Sequence, residues 1–308
     1  MGVLRLDPNN KTLALGTALW GWGVSRKEAF NLLEQFLLAG GRLVDTATNY
    51  PINKRREDFG LAQRWIAEWQ KCNGDSGLSL LVKIGSVDNM GSPDVRLAPD
   101  HIRHLSDELR IQFGAALACV SVHWDDRQDP SSISSTVQEM SRLAQEGLSV
   151  GLSGIRNPEW YFRGAPALAG EWIIQVKENF MTHAARLAYE PWFPNAKYLA
   201  YGINLGGVKV EPPQGDSSIK LRQINIPQTF KERLVGFIQS AHAFEPRPTT
   251  LNELALAASY VNPALSGVVI GPRNIDQLDS TLSYWAALKA YADCAIGRSI
   301  MTRLSEGG

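Results

Sequence analysis

Eight short apolar runs recur along this chain, with longer amphipathic stretches in most of the intervals between them. The runs are Thr12–Leu19, Arg42–Ala47, Leu78–Ile84, Ala118–His123, Ser149–Ile155, Trp172–Val176, Lys197–Ile203 and Leu265–Ile270. Helical periodicity marks Lys27–Ala39, Glu57–Gln70, Ala98–Gln112, Ser134–Glu146 and Leu251–Tyr260. Continuous apolar runs of this length suit strands buried on both faces, and strands alternating with helices predict a parallel sheet. Gly40-Gly41 after the first helix and Gly147 after the fourth stand where helices end. Eight such units in 308 residues predict a single-domain α/β chain, a (β/α)8 TIM barrel with its active site at the C-terminal face of the strands. A doubly wound open sheet is the runner-up. Its GxGxxG turn is missing, because Gly21-Trp22-Gly23 is followed by Arg26 where the third glycine belongs.

Composition narrows the function classes. The 31 Lys+Arg balance 31 Asp+Glu, which removes the whole-chain electrostatic case for nucleic acid or an anionic membrane surface. Cys72, Cys119 and Cys294 are scattered, giving neither a disulfide framework nor a CxxC metal knuckle. The N-terminal stretch is too polar for a signal peptide and no run is long enough for a membrane span, so the cytoplasm is the expected location. Walker, HExxH and GxSxG motifs are absent; Gly151-Leu152-Ser153-Gly154-Ile155 fails the last at its final position. Gly206–Gln228 lacks a clear period and is expected to form a long loop over the barrel mouth.

Barrel chemistry sits where strands end. Asp45, Lys83 and His123 close the second, third and fourth runs, one βα unit apart, and Tyr50 follows Asp45 by five residues. Singly, each has an ordinary structural role: a snorkelling lysine, a turn-capping aspartate, a core histidine, a loop-packing tyrosine. Together they form a proton-donating device. A phenol with a pKa near 10 donates poorly at neutral pH, and a neighbouring ammonium stabilises its phenolate. A carboxylate offsets the burial of that ammonium, and an imidazole orients a carbonyl oxygen. This suits protonation of an alkoxide as hydride arrives at carbon. No side chain donates hydride, so a nicotinamide cofactor is implied.

These residues resemble the aldo-keto reductase family, over about Thr12 to Leu282. The densest likeness is Ala39-Gly40-Gly41-Arg42-Leu43-Val44-Asp45-Thr46-Ala47-Thr48-Asn49-Tyr50, followed by Glu57 and Gly60. It is similar to the family's Gly-x-x-x-x-Asp-Thr-Ala-x-x-Tyr signature. The resemblance implies a catalytic tetrad of Asp45, Tyr50, Lys83 and His123, and NADPH lying extended over the barrel mouth. Thr17, Asp45, Ser153, Gln175 and Tyr201 match cofactor-binding positions, Ser153 and Gln175 at the carboxamide and Tyr201 stacking on the nicotinamide. Gly271, Arg273, Asn274 and Gln277 match the loop and helix start that grip the adenosine 2′-phosphate, where a guanidinium fork suits a phosphate dianion. Trp124 matches a substrate-pocket residue, and Trp20 joins it among the tryptophans (with Trp22 and Trp192) expected to line the mouth.

The sequence departs from the family pattern at several points. Gly154 stands where Asn usually follows the Ser, Gly202-Ile203-Asn204 replaces Ser-Pro-Leu after Tyr201, and Thr281 replaces a late Asn. Pro51–Arg56 replaces a short glycine-rich turn and carries Lys54, Arg55 and Arg56, which suit either an anionic substrate or solvent. The expectation is an NADPH-dependent oxidoreductase acting on a small carbonyl or alcohol, with no metal. The alternative is a cofactor-binding regulatory protein of low turnover, as the potassium-channel β subunits illustrate. A third alternative is a barrel lyase or hydrolase using His123 with Asp125-Asp126 as a metal site.

Overall fold

The computed structural model describes residues 4, 6, 10–74, 76–179, 181–205, 227–241 and 245–291. Within them, eight parallel strands pair in sequence order and close on themselves, confirming the (β/α)8 barrel. The strands are β1 (Thr12–Gly16), β2 (Leu43–Ala47), β3 (Ser79–Ile84), β4 (Leu117–His123), β5 (Ser149–Ser153), β6 (Ile173–Lys177), β7 (Lys197–Tyr201) and β8 (Gly267–Ile270). Each falls on one of the eight apolar runs. β1, β5 and β7 stop two or three residues short of their runs, where the chain turns off the barrel.

The helices are α1 (Arg26–Leu38), α2 (Leu61–Asn73), α3 (Pro99–Phe113), α4 (Pro130–Gln145), α5 (Pro158–Gly164), α6 (Ala184–Tyr189), α7 (Gln228–Ser240), α8 (Leu251–Val261) and α9 (Ile275–Ala290). Their starts follow capping chemistry. Ser25 with Glu28 and Thr250 with Glu253 form capping boxes on α1 and α8. Asp129 caps α4 ahead of Pro130, and Asn274 caps α9. After α1 and α4, Gly40 (φ 86°) and Gly147 (φ 88°) take the left-handed turn that glycine accepts without strain. The short α5 and α6 carry no distinct period in the sequence.

Two apolar layers hold the fold. The larger lies between strands and helices; the smaller fills the N-terminal end of the barrel with Leu6, Ala14, Leu43, Leu81, Cys119, Ile173 and Leu199. Alternation along the strands carries the axis-facing side upward from that plug. From Leu43 it reaches Asp45, from Leu81 Lys83, from Cys119 Ser121 and His123, and from Ile173 Gln175. An apolar floor thus lies beneath a polar layer at the C-terminal end. Most of the expected loop over the mouth (206–226), and Cys294, lie outside the described residues.

Candidate active site

Lys83 lies at the end of β3, in register with Ala47, and its side chain reaches back to Asp45 on β2. Its Nζ is 2.5 Å from both carboxylate oxygens, with the two side chains 3% and 7% exposed. The same ammonium lies 4.8 Å from the centre of the Tyr50 ring. Tyr50 in turn meets His123 edge-on, with ring centroids 5.9 Å apart. The four residues singled out in the sequence are therefore one contiguous cluster, fully or nearly buried.

The electrostatics differ in one respect from the sequence expectation. Burial pushes the Tyr50 hydroxyl above its ordinary value of 10, and the downward pull of Lys83 does not overcome it. Burial alone would lower Lys83, but Asp45 and then Tyr50 outweigh it and hold the ammonium above 10.5. His123 is driven well below 6.5 by burial and then by the Lys83 charge. At neutral pH the cluster is a buried ion pair flanked by a protonated phenol and a neutral imidazole. The His123 Nδ1 atom is buried with no hydrogen-bond partner among the described residues.

Gln175 was expected at the nicotinamide carboxamide; its Nε2 donates to Asp45 Oδ1 at 2.7 Å, making a third contact to that carboxylate. Thr17 donates to the Asp45 carbonyl oxygen at 3.0 Å, tying β1 to β2 beneath the site. Ser153 pairs in register with His123 on one side and Gln175 on the other, and Tyr201 is half-buried at the end of β7. At the other side of the mouth Asn274 Oδ1 accepts from the Gln277 backbone, and the Gln277 side chain accepts from the Arg273 backbone at 2.9 Å. The Arg273 guanidinium crosses to the β1 loop, where it fills the space a side chain on Gly23 would occupy. Gly271 is exposed beside it. A cleft of about 260 Å³ opens there between Glu28, Asn31, Asn274, Ile275 and Asp276.

Trp20 is fully buried in the main core, its indole nitrogen without a partner. Trp124 is half-buried, stacks on His123 with centroids 4.3 Å apart, and has a positive φ of 57°. No sequence motif signals what holds it there. Asp125, 1% exposed, accepts two side-chain bonds from Arg127 and a third from the Tyr161 hydroxyl at 2.6 Å. Its backbone carbonyl accepts from Arg156, and the Asn157 side chain donates to the Arg127 carbonyl. The β4 and β5 loops are laced together around one buried carboxylate. That network takes up the Asp125 carboxylate, which serves as a loop anchor paired with a guanidinium. Among the described residues no His, Cys, Asp and Glu group has a metal-holding arrangement.

Lys54, Arg55 and Arg56 are exposed beyond Tyr50. Their loop is pinned from beneath by Asn89, whose amide donates to the Pro51 and Arg55 carbonyls.

With this geometry in hand, three comparisons bear on the chain. The model of the aldo/keto reductase family matches residues 12–161, just under half the chain, and this half holds Asp45, Tyr50, Lys83 and His123. Norsolorinic acid reductase of Emericella nidulans is 25% identical over 91% of this chain and 74% of its own length. Protein tas of Escherichia coli is 30% identical over a 122-residue stretch, 38% of this chain and 35% of its own. Among solved structures, an aldo-keto reductase from Bacillus halodurans in its holo form has a TM-score of 0.65 at 19% identity, covering 95% of this chain and 91% of its own. Glycerol dehydrogenase from Gluconobacter oxydans has a TM-score of 0.69 at 19% identity, covering 96% and 93%. The resemblance to the aldo-keto reductases is thus confirmed, in sequence over residues 12–161 and in fold over nearly the whole chain.

Proposed function

We propose that this aldo-keto-reductase-like barrel is an NADPH-dependent oxidoreductase that interconverts a small carbonyl compound and its alcohol, with Tyr50 as the general acid. The family match supports the coarser part, an oxidoreductase acting on carbonyls or alcohols. The observation that carries the finer part is the buried Lys83–Asp45 pair set against the Tyr50 ring.

Two features suit a nicotinamide nucleotide with a substrate beside it. The orphaned His123 nitrogen is a buried polar atom that a substrate oxygen would satisfy. The cleft at the start of α9 has room for one heterocycle, with the Arg273 guanidinium at hand for a phosphate. Ser153, Gln175 and Tyr201 would then hold the nicotinamide end, Thr17 and Asp45 would bound it from β1 and β2, and Gly271, Arg273, Asn274 and Gln277 would hold the adenosine end. When bound, the nicotinamide supplies the hydride.

The chain's own residues do the rest. Tyr50 is protonated at neutral pH and gives its hydroxyl proton to the substrate oxygen as the carbonyl carbon is reduced. Lys83 then stands against a phenolate and stabilises it, so the cation acts where charge develops. Asp45 keeps Lys83 charged and fixed. His123, neutral, orients the carbonyl by a hydrogen bond, and Trp124 walls the pocket beside it. The two described cysteines, Cys72 and Cys119, are free thiols, which supports a cytoplasmic setting. Among the described residues no helix is long and apolar enough to cross a membrane.

Titration with NADPH and with NADH, followed by tryptophan quenching, tests the cofactor assignment. Glu28 and Asp276 line the cleft while the Arg273 guanidinium lies against Gly23, so the ratio of the two affinities reports whether the guanidinium dominates. Tight NADPH binding that weakens in Arg273→Ala is expected. Absence of binding to either nucleotide contradicts the reading, and tight binding without turnover on any carbonyl favours the low-turnover alternative.

A further inference from the structure

Ile173, Gln175 and Lys177 share one face of β6. Ile173 lies in the barrel plug and Gln175 bonds Asp45, so that face looks onto the barrel axis. Lys177 is the last residue of the strand and is exposed, which puts it on the mouth side above Gln175. It is in register with Tyr201 on β7, and its Cγ would lie 3.7 Å from a Cβ on Gly202. The stem of the lysine thus runs beside the end of β7.

Among the described residues no acid is paired with Lys177. Glu178, the next residue, is 3% exposed and its Oε1 is taken by His183 and Arg186. Asp45 is saturated by Lys83 and Gln175, and Asp125 by Arg127 and Tyr161. Among the described residues no hydrogen bond or ion pair engages the Lys177 ammonium. The buried cluster below it carries no net charge, since Lys83 and Asp45 cancel while Tyr50 and His123 are neutral at neutral pH. Lys177 therefore adds to the axis-facing wall a positive charge that no described residue pairs with. At the mouth of a barrel such a charge attracts anions.

We propose that Lys177 is an anion-binding residue of the mouth, taking the carboxylate or phosphate oxygens of a ligand that lies across the ends of β6 and β7. The proposal rests on the oxidoreductase reading for what enters the mouth. The shared chemistry is an oxoanion with two sources: an acid group on the carbonyl substrate, or the diphosphate of the nicotinamide nucleotide. Because the lysine is exposed at the end of its strand, replacing it is expected to leave the fold intact.

The test compares the full chain with its Lys177→Gln and Lys177→Arg variants in three arms. One is calorimetric binding of inorganic pyrophosphate, which needs no turnover; the second is the Kd for NADPH; the third is kcat/KM for 4-carboxybenzaldehyde against benzaldehyde. The glutamine variant is expected to lose about tenfold in the arm that reports the true source, a loss that salt mimics and arginine rescues. Loss confined to the carboxylated aldehyde assigns the anion to the substrate, and loss confined to NADPH assigns it to the diphosphate. A glutamine variant indistinguishable from wild type in all three arms overturns the proposal. Pyrophosphate binding that depends on Lys177, in a protein that neither binds NADPH nor reduces either aldehyde, would sink the oxidoreductase reading and leave the anion site standing.

Discussion

The indole of Trp124 occupies the space that a side chain on Gly154 would need: a Cβ built there would lie 2.6 Å from Trp124 Cδ1. Gly154 also sits at φ 70° and Trp124 at φ 57°, and the Trp124 amide donates to the Ser153 carbonyl at 2.8 Å. The glycine that replaces the family's usual asparagine is thus the counterpart of a tryptophan folded back over the β5 loop. Restoring the asparagine is expected to displace the indole. Gly154→Asn should cost about 1–3 kcal/mol of stability and shift the tryptophan emission maximum as Trp124 becomes exposed. Unchanged emission and melting would contradict this packing.

Lys83→Met removes the cation paired with the Asp45 carboxylate, which remains buried with Gln175 as a side-chain partner. Breaking a buried pair from one side costs about 3–5 kcal/mol. Turnover should fall by about 10²–10⁴, because the Tyr50 phenolate loses its counter-ion. The double variant Lys83→Met with Asp45→Asn separates the two effects. It should regain much of the stability and none of the activity, as read by urea denaturation and by carbonyl-dependent NADPH oxidation.

The pH dependence follows from two displaced groups. Tyr50 lies above its ordinary value, so it stays protonated and carbonyl reduction should be level from about pH 6 to about pH 9. Alcohol oxidation, which needs the phenolate, should rise toward alkaline pH. His123 lies below 6.5 when folded, so the unfolded chain takes up its proton first as pH drops. Its contribution to stability is full above about pH 6.5 and is lost as pH falls below that, at up to about 1.4 kcal/mol per pH unit. His123→Gln should flatten the fall in urea midpoint between neutral and acid pH. An acid limb near pH 6.5 in the reduction rate itself would contradict a neutral His123.

Tyr161 bears on the site through its bond to Asp125, in the loop that follows β4 and carries Trp124. Tyr161→Phe removes the 2.6 Å bond to a carboxylate that Arg127 still neutralises, at about 1.5–3 kcal/mol. Loosening the β4 loop should raise KM for the carbonyl more than it lowers kcat, because Trp124 bounds the pocket while Tyr50 and Lys83 stay in place. A fall in kcat with KM unchanged would place Tyr161 in a different role.

What was legible in the sequence has a physical pattern. All eight strands could be read because strands buried on both faces must be apolar throughout. The ends of α1 and α4 could be read because left-handed turns select glycine. The cluster of Asp45, Lys83 and His123 was readable because the three recur at strand ends one βα unit apart, a spacing that neighbouring parallel strands turn into proximity. Long-range choices among polar groups were not readable. Nothing local to Gln175 says that its amide turns down to Asp45, and Asp125 looks like half of an acidic pair until Arg127 and Tyr161 fold onto it. The level of Tyr50 was misjudged for a related reason. The sequence shows the lysine that lowers it but not the complete burial that outweighs that lysine.

The central claim is that Tyr50 supplies the proton in a hydride-transfer reaction over an otherwise intact site. The most direct test measures NADPH affinity and carbonyl-dependent NADPH oxidation, on a panel of aldehydes and ketones, in wild type and Tyr50→Phe. The phenylalanine keeps the ring between Lys83 and His123 and removes only the hydroxyl. The account predicts unchanged NADPH affinity with turnover reduced by about 10²–10⁴. Turnover retained by Tyr50→Phe, with NADPH binding equal in the two proteins, would contradict it.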